Sequence, residues 1–133
     1  MSERSKILEK KYSRYKKIDD ELMSLEQSIR TAKELADEIG VDERELAGNE
    51  ENRIQDLLEE RKVIAKEMIS DFRGLNDPIV YQILKRHYLD GDRWADIARD
   101  MHYHEKSIYR IRNRAFEKIE NDRKKNGYSM LLS

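Results

Sequence analysis

The chain has no cysteine and only one proline among its 133 residues. Without cysteine there is no disulfide and no thiolate zinc site. One proline and five glycines leave few points at which a helix must stop. No apolar run approaches the roughly 20 residues of a membrane span. The N-terminal MSERSKILEK lacks a signal-peptide core. There is no Gly-rich phosphate loop, nucleophile elbow or HExxH, so an enzyme is not expected. The expectation from these absences is a cytoplasmic protein with no membrane partner and no cofactor. The three histidines, His87, His102 and His104, are read as packing, capping or phosphate-contact residues, and no metal site is expected.

What the chain does have is charge, 41% of its residues, spread over regular apolar spacing. That combination points to an all-α fold. Residues 1–76 carry 15 basic and 19 acidic side chains, a balance of −4, whereas 77–133 carry 12 and 9, a balance of +3. The excess of positive charge gathers in 104–125, with eight basic residues against four acidic. A local basic face on a nearly neutral protein suggests an acidic partner at one end only.

Leu8, Tyr12, Tyr15, Ile18, Leu22, Leu25, Ile29, Ala32, Ala36 and Ile39 follow each other at steps of three and four. This near-heptad stripe predicts one helix of about 54 Å packed along a partner. Gly40 to Asn49 reads as a connection, with Asp42 capping a short turn. A second helix is expected over 50–73, with Asn49 as N-cap and Gly74 as the stop. Ile54, Leu57, Leu58, Ile64, Ala65, Met68 and Phe72 give it one apolar side, interrupted by Arg61. The two form a hairpin over 1–75, or else a coiled coil between chains. The second helix is roughly a dozen residues shorter, about 18 Å. On that reading the first helix near Tyr12 and Tyr15 lacks cover, which suggests a homodimer through the N-terminal helices.

Asn76-Asp77-Pro78 opens a third helix, with Asp77 as N-cap and Pro78 in the first turn. Asp90-Gly91 ends it, and Asp92 is placed to cap the next helix. Two helices with a tight turn between them then fill 92–119. Trp94, Ile97, Ala98 and Met101 line one, and Ile108, Ile111, Ala115 and Ile119 the other. This outlines a trihelical helix-turn-helix unit over 77–125, followed by a tail at 126–133 after the Asn126-Gly127 stop. In such a unit the last helix, 105–125, enters the major groove by its N-terminal half. Glu105, Lys106, Tyr109, Arg110 and Asn113 are therefore the candidate base-reading residues. Their chemistry suits that task, since Arg pairs with guanine, Asn with adenine and Glu with cytosine. Arg93, Arg112, Arg114 and Lys118 are the candidate phosphate contacts.

The stretch YLDGDRWADIARDMHYHEKSIYRIRNRAFEKI resembles region 4 of the sigma-70 family of bacterial transcription factors. The residues that carry the likeness are Tyr88, Gly91, Trp94, Ile97-Ala98, Ser107-Ile108 and Arg114-Ala115-Phe116. The Ile-Tyr-Arg-Ile core at 108–111 is also similar to phage and prophage late-gene regulators of the RinA/ArpU kind. The resemblance covers about a third of the chain. It departs at the turn, where His102 replaces the usual glycine and His104 the usual serine. Nothing resembles the promoter-melting region 2. The resemblance implies a sequence-specific regulator of transcription that binds double-stranded DNA, of the activating kind, with RNA polymerase as a further partner. Two other readings stay open: a coiled-coil protein-interaction module, and a phage DNA-packaging recognition subunit.

Overall fold

The computed structural model describes the backbone of residues 1–132 and the side chains of residues 1–125. The fold is all-α, with five helices and no strand among the described residues. They are α1 (Glu3–Ile39), α2 (Arg44–Gly74), α3 (Pro78–Tyr88), α4 (Trp94–Asp100) and α5 (Glu105–Leu132). No helix among the described residues is long and apolar enough to cross a membrane.

The local chemistry explains most boundaries. The Ser2 side chain caps α1 by accepting from the Ser5 N–H at 3.0 Å. Gly40, at φ 74°, ends it, and the Val41 N–H closes onto the Ala36 carbonyl at 3.1 Å. Asp77 caps α3 by accepting from the N–H groups of Ile79 and Val80, with Pro78 in the first turn.

Three boundaries correct the sequence reading. First, α2 starts at Arg44 rather than near Asn49. The Asp42 carboxylate accepts from the Arg44 N–H at 2.9 Å and starts the helix early. Inside α2 the backbone is kinked at Ala47, φ −140° and ψ 19°, next to Gly48. Second, Asp92 does not cap α4, because Arg86 Nε holds its carboxylate at 2.8 Å. Third, α5 continues through Asn126-Gly127. One glycine costs a helix about 1 kcal/mol, which need not end it. The side chains of the expected tail, 126–133, lie outside the described residues.

α1 and α2 pair antiparallel. Lys11 with Glu67, Arg14 with Glu60, Asp19 with Arg61 and Glu21 with Arg53 step along the seam in opposite directions. Arg61, which breaks the apolar pattern, is satisfied by Asp19 at 2.6 Å and lies 5.8 Å over the Tyr15 ring. With α2 31 residues long against 37 for α1, the expected length mismatch largely disappears.

The expected bare stretch near Tyr12 is instead the centre of the protein. Tyr12 is fully buried. Its ring meets Phe72 at 5.6 Å, Phe116 at 5.9 Å and Tyr88 at 6.4 Å, and Tyr88 meets Trp94 at 5.7 Å. Each of the five helices supplies one ring to this hub. Edge-to-face pairs of this kind add about 0.5–1.5 kcal/mol each beyond area burial. The cover comes from α3 and α5, which fold back onto the start of α1. The same core cluster runs from Leu22 and Leu57 in the hairpin to Ala115 and Ile119 in α5. Four of the apolar residues left in solvent lie at the opposite, hairpin-tip end: Leu35 (44% exposed), Ile39 (58%), Val41 and Leu46; Ile7, Met23, Val63, Ile79 and Tyr103 are exposed elsewhere.

Candidate nucleic-acid interface

A second, smaller cluster of Ile83, Ile97, Ala98 and Ile108 holds α3, α4 and α5 together. Trp94, Met101 and Ile111 pack around it. The turn between α4 and α5 is closed by its backbone. The Met101 N–H bonds to the Ile97 carbonyl, and the Tyr103 N–H bonds to the Ala98 carbonyl at 2.8 Å. This bonding requires a left-handed residue between them, and His102 fills that place at φ 60°. It stands where the resemblance has glycine. His104 starts α5 with its carbonyl, which accepts from the N–H groups of Ser107 and Ile108 at 3.0 and 3.2 Å.

Arg86 fastens α3 to α4, reaching Asp92 at 2.8 Å and Asp100 at 2.9 Å. His87 does the same through its ring. It stacks on Trp94 at 3.7 Å, and its Nδ1 donates to the Asp92 carbonyl at 2.8 Å. Burial holds the imidazole below its ordinary pKa. It is neutral at pH 7 and acts as a packing group. The Tyr88 hydroxyl, pushed up by burial and by its bond to Glu9, stays protonated at all ordinary pH. Among the described residues no three His, Asp or Glu side chains gather into a metal ligand set.

The candidate base-reading residues fall on one side of α5. Glu105, Lys106 and Arg110 are exposed, and Tyr109 and Asn113 are half-buried. Tyr109 leans its ring against Trp94 at 6.2 Å. Lys106, Arg110 and Arg114 bond to no acid among the described residues.

The four candidate phosphate contacts divide. Arg114 is exposed. Arg93 is 80% exposed and holds Asp96 at 3.1 Å, an i,i+3 surface pair worth little and readily exchanged. Arg112 and Lys118 are bonded within the protein. Lys118 Nζ donates to the Leu75 carbonyl at 3.0 Å, closing the end of α2. Arg112 turns inward, with 18% of its side chain exposed, and pairs with Glu9 at 3.4 Å. Its guanidinium lies 5.1 Å from the Tyr109 ring centre and 5.8 Å from that of Trp94. A spacing signal for this exists: Arg112 follows Ile108 by four and precedes Phe116 by four, so it stands on the apolar face.

Glu9 is the site residue that sequence reading missed. It is a charged residue in a charged helix, far along the chain from α5, and nothing local distinguishes it. The chain matches no family model, no curated protein and no solved structure.

Proposed function

We propose that the protein is a sequence-specific, double-stranded-DNA-binding regulator of transcription. It resembles sigma-70 region 4 and regulators of phage or prophage late genes, of the activating kind. α5 enters the major groove by its first turns. Lys106, Tyr109, Arg110, Asn113 and Glu105 meet base edges, and Arg114 and Arg93 meet phosphates.

The observation that supports this reading best is the unequal treatment of the cations near the turn. Arg86, Arg112 and Lys118 are tied to protein acceptors, while Lys106, Arg110 and Arg114 stand outward together on α5 with no carboxylate partner among the described residues. The apolar hairpin tip favours a second, compatible role. Leu35, Ile39, Val41 and Leu46 provide a surface for homodimerisation or for RNA polymerase.

The test is binding of the full chain to mixed-sequence duplex DNA by fluorescence anisotropy at several salt concentrations. The expected result is affinity that falls log-linearly with salt, with a slope of about −0.9 per phosphate contacted. Arg110→Ala should also flatten preference among duplexes selected from a randomised pool. Absence of salt-dependent binding at low ionic strength overturns the proposal and leaves the protein-interaction reading.

A further inference from the structure

Glu9 belongs to α1, yet its Oε2 reaches two residues of the DNA-reading end. It accepts from the Tyr88 hydroxyl at 2.7 Å and pairs with Arg112 Nη1 at 3.4 Å. Arg112 lies over the Trp94 and Tyr109 rings, and its Nε donates to the Asn113 side-chain oxygen at 3.1 Å. The contacts thus run from Glu9 to Arg112 to Asn113, from the N-terminal helix to a base-reading position.

The chemistry of the last link matters. An asparagine amide offers an acceptor at one end and two donors at the other, and either orientation fits the same space. A donor fixed on its oxygen removes that ambiguity. An asparagine that reads adenine must present its donor and acceptor in one fixed order. Arg112 can impose that order only while it is held inward. Its planar guanidinium stacks on two rings and is held by one carboxylate, Glu9. Without that carboxylate, a half-buried arginine beside a groove has a stronger partner available in phosphate.

We infer that Glu9 is a positioning residue for base recognition: it restrains Arg112, which fixes the amide of Asn113 and is itself kept off the DNA backbone. This rests on the DNA-binding reading given above. It makes the hairpin part of the reading head and gives α1 a role in specificity.

The predicted signature has two parts of opposite sign. Glu9→Gln keeps an acceptor for Tyr88 and loses the charge that holds Arg112. The preference of the full chain for its selected duplex over a shuffled duplex should drop roughly tenfold, the scale of one bidentate base contact. Affinity for the shuffled duplex should rise at low salt, with the salt slope steeper by about 0.9 as Arg112 gains a phosphate. A merely structural Glu9 would lower the melting temperature and move neither quantity.

The test measures anisotropy on both duplexes for wild type, Glu9→Gln, Asn113→Ala and the double variant. In the Asn113→Ala background, Glu9→Gln should cost no further preference, because both act on one contact. Full additivity overturns the relay. A second readout needs no DNA: the Asn113 side-chain amide resonances of the free protein should shift in Glu9→Gln. Unshifted resonances overturn the inference even where DNA binding stands. Should Glu9→Gln fail to fold, Arg112→Lys replaces it. Lysine cannot bridge Glu9 and Asn113, so the same loss of preference is expected, and its absence overturns the proposal. A wild-type chain with no duplex preference overturns the inference together with the DNA-binding reading.

Discussion

The two ends of the α1–α2 hairpin carry the same apolar rhythm and have opposite environments. At one end Tyr12 and Phe72 are sealed by rings from α3 and α5. At the other, only the small side chains of Ala36 and Ala47 are buried, and Leu35 and Ile39 stay in solvent. A heptad-like stripe therefore fixes which face of a helix is apolar and leaves open what covers it. The cover is decided by chain segments far away. In this protein the rings of α3 and α5 cover the Tyr12 end and do not reach the tip.

The sharpest way to break that comparison is truncation at each end. Phe72→Ala should cost about 3–5 kcal/mol, the usual loss for a buried aromatic. Ile39→Ala at the tip should cost well under 1 kcal/mol. Urea unfolding measures both. Because one core cluster spans the hairpin and α5, Trp94 fluorescence and helical circular dichroism should report a single shared transition for Phe72→Ala. Similar losses at the two ends, or transitions that separate, would show that the hub does not bind the halves together.

Charge sharpens the comparison next. Arg110 on α5 and Arg44 at the tip are both exposed arginines. Arg110→Ala should lower affinity for the preferred duplex by about 1–3 kcal/mol and weaken base preference. Arg44→Ala should leave binding unchanged, since it lies at the far end of the hairpin. Equal effects would mean that DNA binding is diffuse and that α5 has no special role.

How much of this was legible follows from where each signal lies. The α1 stripe, Gly40, Asp77-Pro78 and the α4–turn–α5 pattern are local, so a few adjacent residues reveal them. Arg110 and Arg112 show the limit. They are two residues apart on one helix, about 200° around it, and composition treats them alike. Only the apolar positions at 108 and 116 separate the outward arginine from the inward one. Glu9 had no such marker. Its meaning comes from Tyr88 and Arg112, which only the folded chain brings to it. The start of α2 was misplaced because glycine at 48 reads as a breaker, whereas the helix runs through it with a kink at the buried Ala47.

A smaller effect separates the ends by pH. The lowered pKa of His87, caused first by burial, means that the unfolded chain takes up a proton that the folded chain refuses. Stability from this group is fully present above its ordinary pKa of 6.5 and is lost as pH falls below it. Paired carboxylates such as Glu67, held below their usual range by Lys11 and Arg123, contribute above about pH 4.5 and are lost only at lower pH. His87→Asn keeps a donor for the Asp92 carbonyl and does not titrate. Thermal melts from pH 7.5 down to pH 5 should show a shallower fall for this variant than for wild type. Parallel curves would place the acid sensitivity of this pH range in groups other than His87.

The smallest expected effect lies at the turn itself. His102 occupies a left-handed conformation at φ 60°, which costs an L residue with a side chain about 1 kcal/mol or more. Glycine there removes the strain but adds freedom to the unfolded chain, and the two terms oppose each other. His102→Gly should therefore stabilise by only about 0.5 kcal/mol, roughly 2 °C in melting temperature. The sign of that shift is informative. A gain would mean that the histidine is kept at a cost to stability, beside the helix proposed to meet DNA, and the variant should then bind duplex DNA more weakly than wild type does. A loss would mean that the ring makes contacts that outweigh the strain, and the turn would belong to the same tightly packed end as the hub.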